Sequence, residues 1–141
     1  MNPVLKNVLA VVAGVVVGAF VNSALVNIGP YIVPLPEGAD VSTMESLSES
    51  MHLFRPVNFL MPFLAHAIGT LVGAFVAAKV AASHAMKLAL GIGAFFLLGG
   101  IAAAMMLGGP AWFIALDLIL AYIPMGWLGA RLAGAGRPDV A

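Results

Sequence analysis

One apolar segment, bounded by a charge at each end, most constrains how this chain can fold. About 23 residues separate Arg55 from Lys79, and at 1.5 Å per residue a helix of that length reaches roughly 34 Å, enough to cross a bilayer core of about 30 Å. The segment contains a single ionisable side chain, His66. It therefore predicts a transmembrane helix with a histidine inside it.

The composition indicates that lipid is the main solvent of this chain. Hydrophobic residues make up 62% of the 141 residues and charged residues only 9%, whereas soluble domains carry about 25% charged residues. The net charge is zero, so no basic field favours nucleic acid as a partner. The absence of cysteine excludes disulfides and thiolate metal sites. No phosphate-binding loop, dinucleotide fingerprint or nucleophile elbow is present, so the sequence gives no indication of an enzyme.

Three further apolar segments complete an all-α membrane fold. We predict one domain, with four transmembrane helices in an antiparallel bundle, spanning residues 8–28, 56–78, 88–107 and 111–130. The first segment has the length of a span rather than that of the shorter apolar core of a signal peptide. Gly108-Gly109-Pro110 predicts the turn between the last two spans.

The polar segment 29–55 is predicted to form an outer loop that contains a short amphipathic helix. Pro30, Pro34 and Pro36 favour extended or turned backbone in its first part. Its second part, Ser42–Phe54, is predicted to be a short helix capped by Ser42 or Thr43, and Ser42 and Glu45 have the spacing of a capping box. The apolar face of this helix would be formed by Met44, Leu47, Met51 and Phe54, and we expect it to lie on the membrane surface.

The distribution of charge predicts the orientation in the membrane. Four spans place both termini on one side, which then also holds five basic residues: Lys6, Lys79, Lys87, Arg131 and Arg137. Arg55 lies on the opposite side, beside acidic residues of the loop. The positive-inside rule therefore predicts cytoplasmic termini and an extracytoplasmic loop in a bacterial inner membrane.

Two spans share a short motif. The run Gly14-x-x-x-Gly18-Ala-Phe-Val is repeated as Gly69-x-x-x-Gly73-Ala-Phe-Val. The two helices run in opposite directions, so the repeat could be the inverted pair that many transporters contain. Small residues four apart also allow membrane helices to pack closely, and we favour this explanation.

Polar residues from three spans are expected at nearly one depth. Counted from the cytoplasmic basic residues, His66 and Asp117 both lie roughly 20 Å up, in the outer part of the membrane, and Asn22 about 24 Å. Thr70 and Tyr122 lie about one turn nearer the membrane centre. Because a buried aspartate is costly, we expect Asp117 to pair with His66 and to accept a further hydrogen bond from Asn22. The group is either an outward-opening site for a proton or cation, or a structural clamp between helices.

A metal site is a further alternative. Glu49 and His52 lie three residues apart, so they would share a helix face, with Glu45 one turn earlier. If the loop helix folds over the bundle, these residues could join His66 in binding a divalent transition metal. A solvated polar face explains the same pattern and is favoured. No other cofactor is predicted.

Pro124 predicts an irregularity in the fourth span. It lacks the N–H that would bond to the Leu120 carbonyl, so we expect a kink there.

Several strings together resemble an uncharacterised family of small bacterial four-helix integral membrane proteins. They are Pro34-x-Pro36-Glu37-Gly38, Met51-His52-Leu53-Phe54, Phe63-Leu64-Ala65-His66-Ala67-x-Gly69-Thr70, and Leu116-Asp117-Leu118 before Tyr122-x-Pro124-Met125. The resemblance covers nearly the whole chain and implies the four-span topology. It implies no activity and no functional residue.

Three functional hypotheses follow from the sequence. The favoured one is a structural or accessory protein of the lipid bilayer, which forms a homo-oligomer or joins a larger membrane complex. The second is a small transporter or channel that uses Asn22, His66 and Asp117. The third is an outward-facing metal-binding protein. The first predicts that His66 and Asp117 pair in a dry interior, and the second predicts a cavity that reaches them.

Overall fold

The computed structural model describes residues 1–137, and this part of the chain contains helices and no strand. The helices are α1 (Pro3–Ile32), α2 (Met44–Ser50), α3 (Leu60–Val80), α4 (Ala85–Leu107), α5 (Ala111–Leu120) and α6 (Ile123–Leu132), with 3₁₀ turns at Met51–Leu53 and Pro56–Phe59. Four segments are long and apolar enough to cross a membrane: Pro3–Ile32, Pro56–Val80, Ala85–Leu107 and Ala111–Leu132. The predicted all-α membrane fold is confirmed.

The first span is longer than predicted at both ends. Its N-terminus is capped by Asn2, whose side chain accepts a hydrogen bond from the N–H of Val4 at 2.8 Å. At the other end Pro30, predicted to lie in the loop, is inside the helix. A proline so near the end of a helix removes only one backbone hydrogen bond. The N–H of Val33 bonds to the Gly29 carbonyl at 2.8 Å and closes the helix.

The two repeated glycine motifs pack against each other in antiparallel register. A Cβ added to Gly14 would lie 2.7 Å from the Gly73 carbonyl oxygen, and one added to Gly73 would lie 2.6 Å from that of Gly14. Gly18 and Gly69 face each other in the same way, at 2.8 and 2.9 Å. The backbones of α1 and α3 therefore touch, as small residues permit in membrane helices. Packing is a sufficient explanation of the repeat.

Small residues also pack α6 into the bundle. A Cβ on Gly129 would lie 2.5 Å from the Leu71 carbonyl oxygen of α3, and one on Gly126 would lie 3.1 Å from that of Ala89 in α4. The core beside these contacts consists of buried alanines and one large side chain, with members Ala74, Ala77, Ala78, Ala89, Ala130 and Ile92. The half of the bundle near the chain termini is thus held by backbone-to-backbone contact.

The loop helix differs from its prediction. It begins at Met44 with Thr43, one of the two predicted caps, and the capping box joins Thr43 to Ser46 rather than Ser42 to Glu45. The α-helix ends at Ser50, before the predicted end at residue 54. The Ser48 hydroxyl donates to the Leu107 carbonyl at 3.1 Å, so α2 rests on the end of α4. Its position relative to the membrane surface stays a prediction.

The fourth span is broken rather than merely kinked. α5 ends at Leu120 and α6 begins at Ile123, which makes Pro124 the second residue of a new helix. Proline is accepted there because the N–H groups of the first turn have no partner within the helix. The irregularity predicted at Pro124 is present, and it lies two to three residues earlier, at Ala121 and Tyr122.

The connection between α3 and α4 lies beside the start of α1. The Asn7 side chain donates to the Ser83 hydroxyl at 3.0 Å and accepts from the N–H of Ala82 at 2.9 Å. This end of the bundle, called the basic end below, carries Lys6, Lys79, Lys87 and Arg131.

We expect Gly73→Ala to destabilise the bundle by about 1–3 kcal/mol or more, because the added methyl group meets a backbone carbonyl that cannot move aside. Gly91→Ala is the matched control on α4, where an added Cβ has no neighbour within 4 Å. Unfolding by sodium dodecyl sulfate, followed by circular dichroism, measures both. Equal stabilities of the two variants would contradict the close contact of α1 and α3.

Candidate functional site

His66 and Asp117 pair inside the bundle. His66 lies in the second turn of α3 and Asp117 in the second turn of α5. The His66 Nδ1 lies 2.9 Å from one carboxylate oxygen of Asp117 and 3.0 Å from the other. The Asp117 side chain is 7% exposed, and that of His66 is 26% exposed. The pairing expected from the equal depths of the two residues is present.

An aromatic cluster holds the two helices in this arrangement. Phe59, just before α3, places its ring centroid 4.6 Å from that of Phe113 and 5.5 Å from that of Trp112, both at the start of α5. The two helices therefore start side by side. Because the helical rise is constant, a residue in the second turn of each lies at the same level.

Tyr122 completes the group. Its hydroxyl donates to Asp117 Oδ2 at 3.1 Å, and its ring stacks on the His66 ring with a centroid distance of 5.9 Å. Tyr122 lies in the break between α5 and α6 and is only 3% exposed. A Cβ at Gly100 of α4 would collide with the tyrosine hydroxyl. The glycine thus provides the space that the tyrosine occupies.

Asn22 does not donate the expected hydrogen bond to Asp117. Within the described residues, the side chains bonded to Asp117 are those of His66 and Tyr122. Asn22 instead lines a cavity of about 240 Å³ together with His66, Thr70 and Tyr122. We call this the inner cavity. The rest of its wall is formed by Ala19, Ser23, Phe96 and the glycines Gly18, Gly69, Gly99 and Gly100.

Two more cavities lie between His66 and the loop. The outer cavity, of about 50 Å³, is lined by His66 and Asp117 at one end and by Met51 and Leu107 at the other. The vestibule, of about 350 Å³, is lined by Ser48, His52 and aromatic residues, and shares Met51 and Leu107 with the outer cavity. The inner and outer cavities share His66 and Gly100. His66 and Gly100 thus belong to the walls of both intramembrane cavities.

The residues predicted to bind a metal are not brought together. Among residues 1–137, no group of three or more histidine, aspartate or glutamate side chains has the arrangement of a metal site. His52 Nδ1 donates to the backbone carbonyl of Glu49 at 2.6 Å. Because α2 ends at Ser50, His52 is not part of the α-helix that carries Glu45 and Glu49. His52 lines the vestibule, and His66 lies deeper, beside Asp117.

The geometry defines what the group can do chemically. The two carboxylate oxygens receive the His66 Nδ1–H and the Tyr122 hydroxyl, so Nδ1 carries a proton and Nε2 is the ring nitrogen left to accept one. Protonation at Nε2 would give an imidazolium already paired with a carboxylate.

Comparisons with family models, with curated proteins and with solved structures found no match for this chain.

Sequence reasoning missed two parts of the site. Gly100 was not singled out, although a glycine pair within an apolar helix is a signal that a neighbouring group approaches the backbone. Ser48 and Met51 were assigned only to a surface helix. Their position over the outer cavity depends on how the loop folds back, and no local pattern encodes that.

We expect Tyr122→Phe to lower stability by about 0.6–1.7 kcal/mol, the range measured for polar contacts between membrane helices, because the variant retains the ring and loses only the donor to Asp117. Tyr31→Phe is the matched control, since the Tyr31 side chain is almost fully exposed. Unfolding in sodium dodecyl sulfate compares them. The bond to Asp117 would be refuted if Tyr122→Phe were as stable as the unaltered protein.

Proposed function

We propose that this protein is a small transporter or channel in which the His66–Asp117 pair binds and releases protons. Its substrate is the proton itself or a small polar solute that moves together with a proton. The observation that carries the proposal is that His66 lines two cavities, one of which also reaches Asp117. A structural clamp has no need of either cavity.

The polar lining of the inner cavity supports the proposal. Asn22, Ser23 and Thr70 add an amide and two hydroxyl groups to the histidine and tyrosine. A cavity of about 240 Å³ with these polar groups in its wall has room for several waters, each of which occupies about 30 Å³ in the liquid. Proton transfer requires such a connected set of water and side-chain donors. Intramembrane ionisable residues beside water-filled space are typical of proton relays.

The series of cavities on the loop side also supports the proposal. The vestibule and the outer cavity share Met51 and Leu107 in their walls, and the outer cavity is also lined by His66 and Asp117. A proton entering from the loop side would reach His66 through this series. The predicted topology makes this side extracytoplasmic and both termini cytoplasmic, in a bacterial inner membrane.

The chemistry needs no group beyond those in the bundle. Water on one side of His66 donates a proton to Nε2, and the positive charge formed is neutralised by the Asp117 carboxylate 2.9 Å from Nδ1. Release from Nε2 to water on the other side restores the neutral ring. Tyr122 keeps one carboxylate oxygen oriented throughout through its hydrogen bond.

A structural or accessory role, the interpretation favoured by the sequence, is supported by one observation. α1 and α4 present broad apolar surfaces, with exposed side chains such as Val16, Phe20 and Leu98. These could contact lipid, a second copy of the chain or a larger complex. That role does not explain the cavities beside His66.

We expect the purified protein, reconstituted into liposomes that contain a pH-sensitive dye, to conduct protons when a membrane potential is applied. Asp117→Asn should lower the rate at least about tenfold, equivalent to about 1.4 kcal/mol in the barrier, because the variant cannot neutralise a protonated His66. Asp40→Asn is the matched control, since Asp40 lies in the loop, outside the cavities.

Two outcomes would count against the proposal. Equal fluxes for Asp117→Asn and the unaltered protein would remove the pair from the path. Flux no greater than in empty liposomes, both with and without a panel of small polar solutes, would favour the accessory role. Circular dichroism in the same liposomes confirms that each variant is folded.

A further inference from the structure

A long apolar groove runs between α1 and α4 in the half of the bundle away from His66. The two helices both flank α3 and leave between them a cavity of about 470 Å³, joined to another of about 340 Å³ through Val11, Val12 and Leu88. We call this the α1–α4 groove. Its walls are valines of α1 and large apolar residues of α4: Val11, Val12, Val15, Val16, Leu88, Ile92 and Phe95.

One charged side chain lines the groove. Lys87 lies in the first turn of α4, at the basic end of the bundle, and Asn7 lines the same end from α1. The remaining lining is apolar apart from Gly91, whose missing side chain leaves open space above α4. The groove therefore combines an apolar channel with a single cation at its mouth.

We propose that the α1–α4 groove binds a phospholipid with an anionic headgroup, taken from the membrane leaflet at the basic end. An acyl chain would lie along the valines of α1, and the phosphate would contact Lys87. Basic residues at the mouths of clefts between membrane helices bind anionic headgroups in this way. This site is separate from the His66–Asp117 pair and does not depend on the proposed transport.

The length of the groove fits a lipid of one leaflet. Lys87 and Phe95 are eight residues apart on one helix, which corresponds to about 12 Å along the axis. Half of a bilayer core is about 15 Å. A lysine at the membrane interface can extend its ammonium group to the headgroup level while its aliphatic stem contacts the chain.

Titration of the detergent-purified protein with phosphatidylglycerol and with phosphatidylcholine, read by native mass spectrometry, tests the proposal. We expect a one-to-one complex with phosphatidylglycerol that is clearly tighter than that with phosphatidylcholine. Lys87→Gln should weaken the phosphatidylglycerol complex about fivefold, the usual contribution of one basic residue near an anionic surface. Lys79→Gln, a matched control at the same end of the bundle but outside the groove, should leave it unchanged.

A second variant tests the groove itself. Gly91→Leu places a side chain within the groove, at a position where an added Cβ has no neighbour within 4 Å, and should abolish the complex. Ala94→Leu adds the same bulk to the exposed face of α4 outside the groove and should have no effect.

Three results would overturn the proposal. The first is equal affinity for the two lipids. The second is retention of the phosphatidylglycerol complex in Gly91→Leu. The third is a protein that is dimeric with either lipid and becomes monomeric in Gly91→Leu, which would identify a second copy of the chain as the occupant of the groove.

Discussion

The pairing of one carboxylate inside an apolar bundle is the constraint on which the structure around it depends. An unpaired aspartate at the centre of a membrane helix costs about 2.5–3.5 kcal/mol on insertion scales. Two hydrogen-bond donors, the His66 ring and the Tyr122 hydroxyl, offset this cost for Asp117. Each donor requires a feature elsewhere in the chain. The aromatic contacts of Phe59 bring α3 beside α5, and the break before Pro124 turns Tyr122 towards the carboxylate.

The bundle has two parts with different packing. Towards the basic end, α1 and α3 touch through Gly14 and Gly73, and buried alanines of α3, α4 and α6 pack against one another. The inner cavity begins at Gly18 and Gly69. It is lined by Asn22, Thr70 and His66, whose polar side chains do not fill it. The close-packed part can hold the helices rigidly while the part with cavities contains the ionisable groups. A proton-binding site needs both a fixed geometry and access to water.

The fold and the central pair could be predicted because they depend on length, polarity and the constant rise of a helix. Counting residues from the basic end places His66 and Asp117 at one level, and the structure joins them. The donor Tyr122 could not be assigned in this way. In a continuous helix, residues five apart are rotated by roughly 140°, so Asp117 and Tyr122 would lie on different faces. They meet because the helix is broken between them. Within the described residues the predicted metal ligands are not brought together for a similar reason, since the spacing argument places Glu45, Glu49 and His52 on one helix and α2 ends at Ser50.

Hydrogen exchange at the His66 ring tests the central claim most directly, because it asks whether water reaches the pair. Solid-state NMR of histidine-labelled protein in bilayers, transferred from H₂O to D₂O, follows the Nδ1–H that bonds to Asp117. The backbone amide of Ala74, in the close-packed part, is the internal reference for a site without water. If water reaches the pair, we expect the His66 ring proton to exchange quickly while the Ala74 amide stays protonated. A ring proton as slow to exchange as that amide would identify the pair as a sealed clamp and contradict its proposed role in binding and releasing protons.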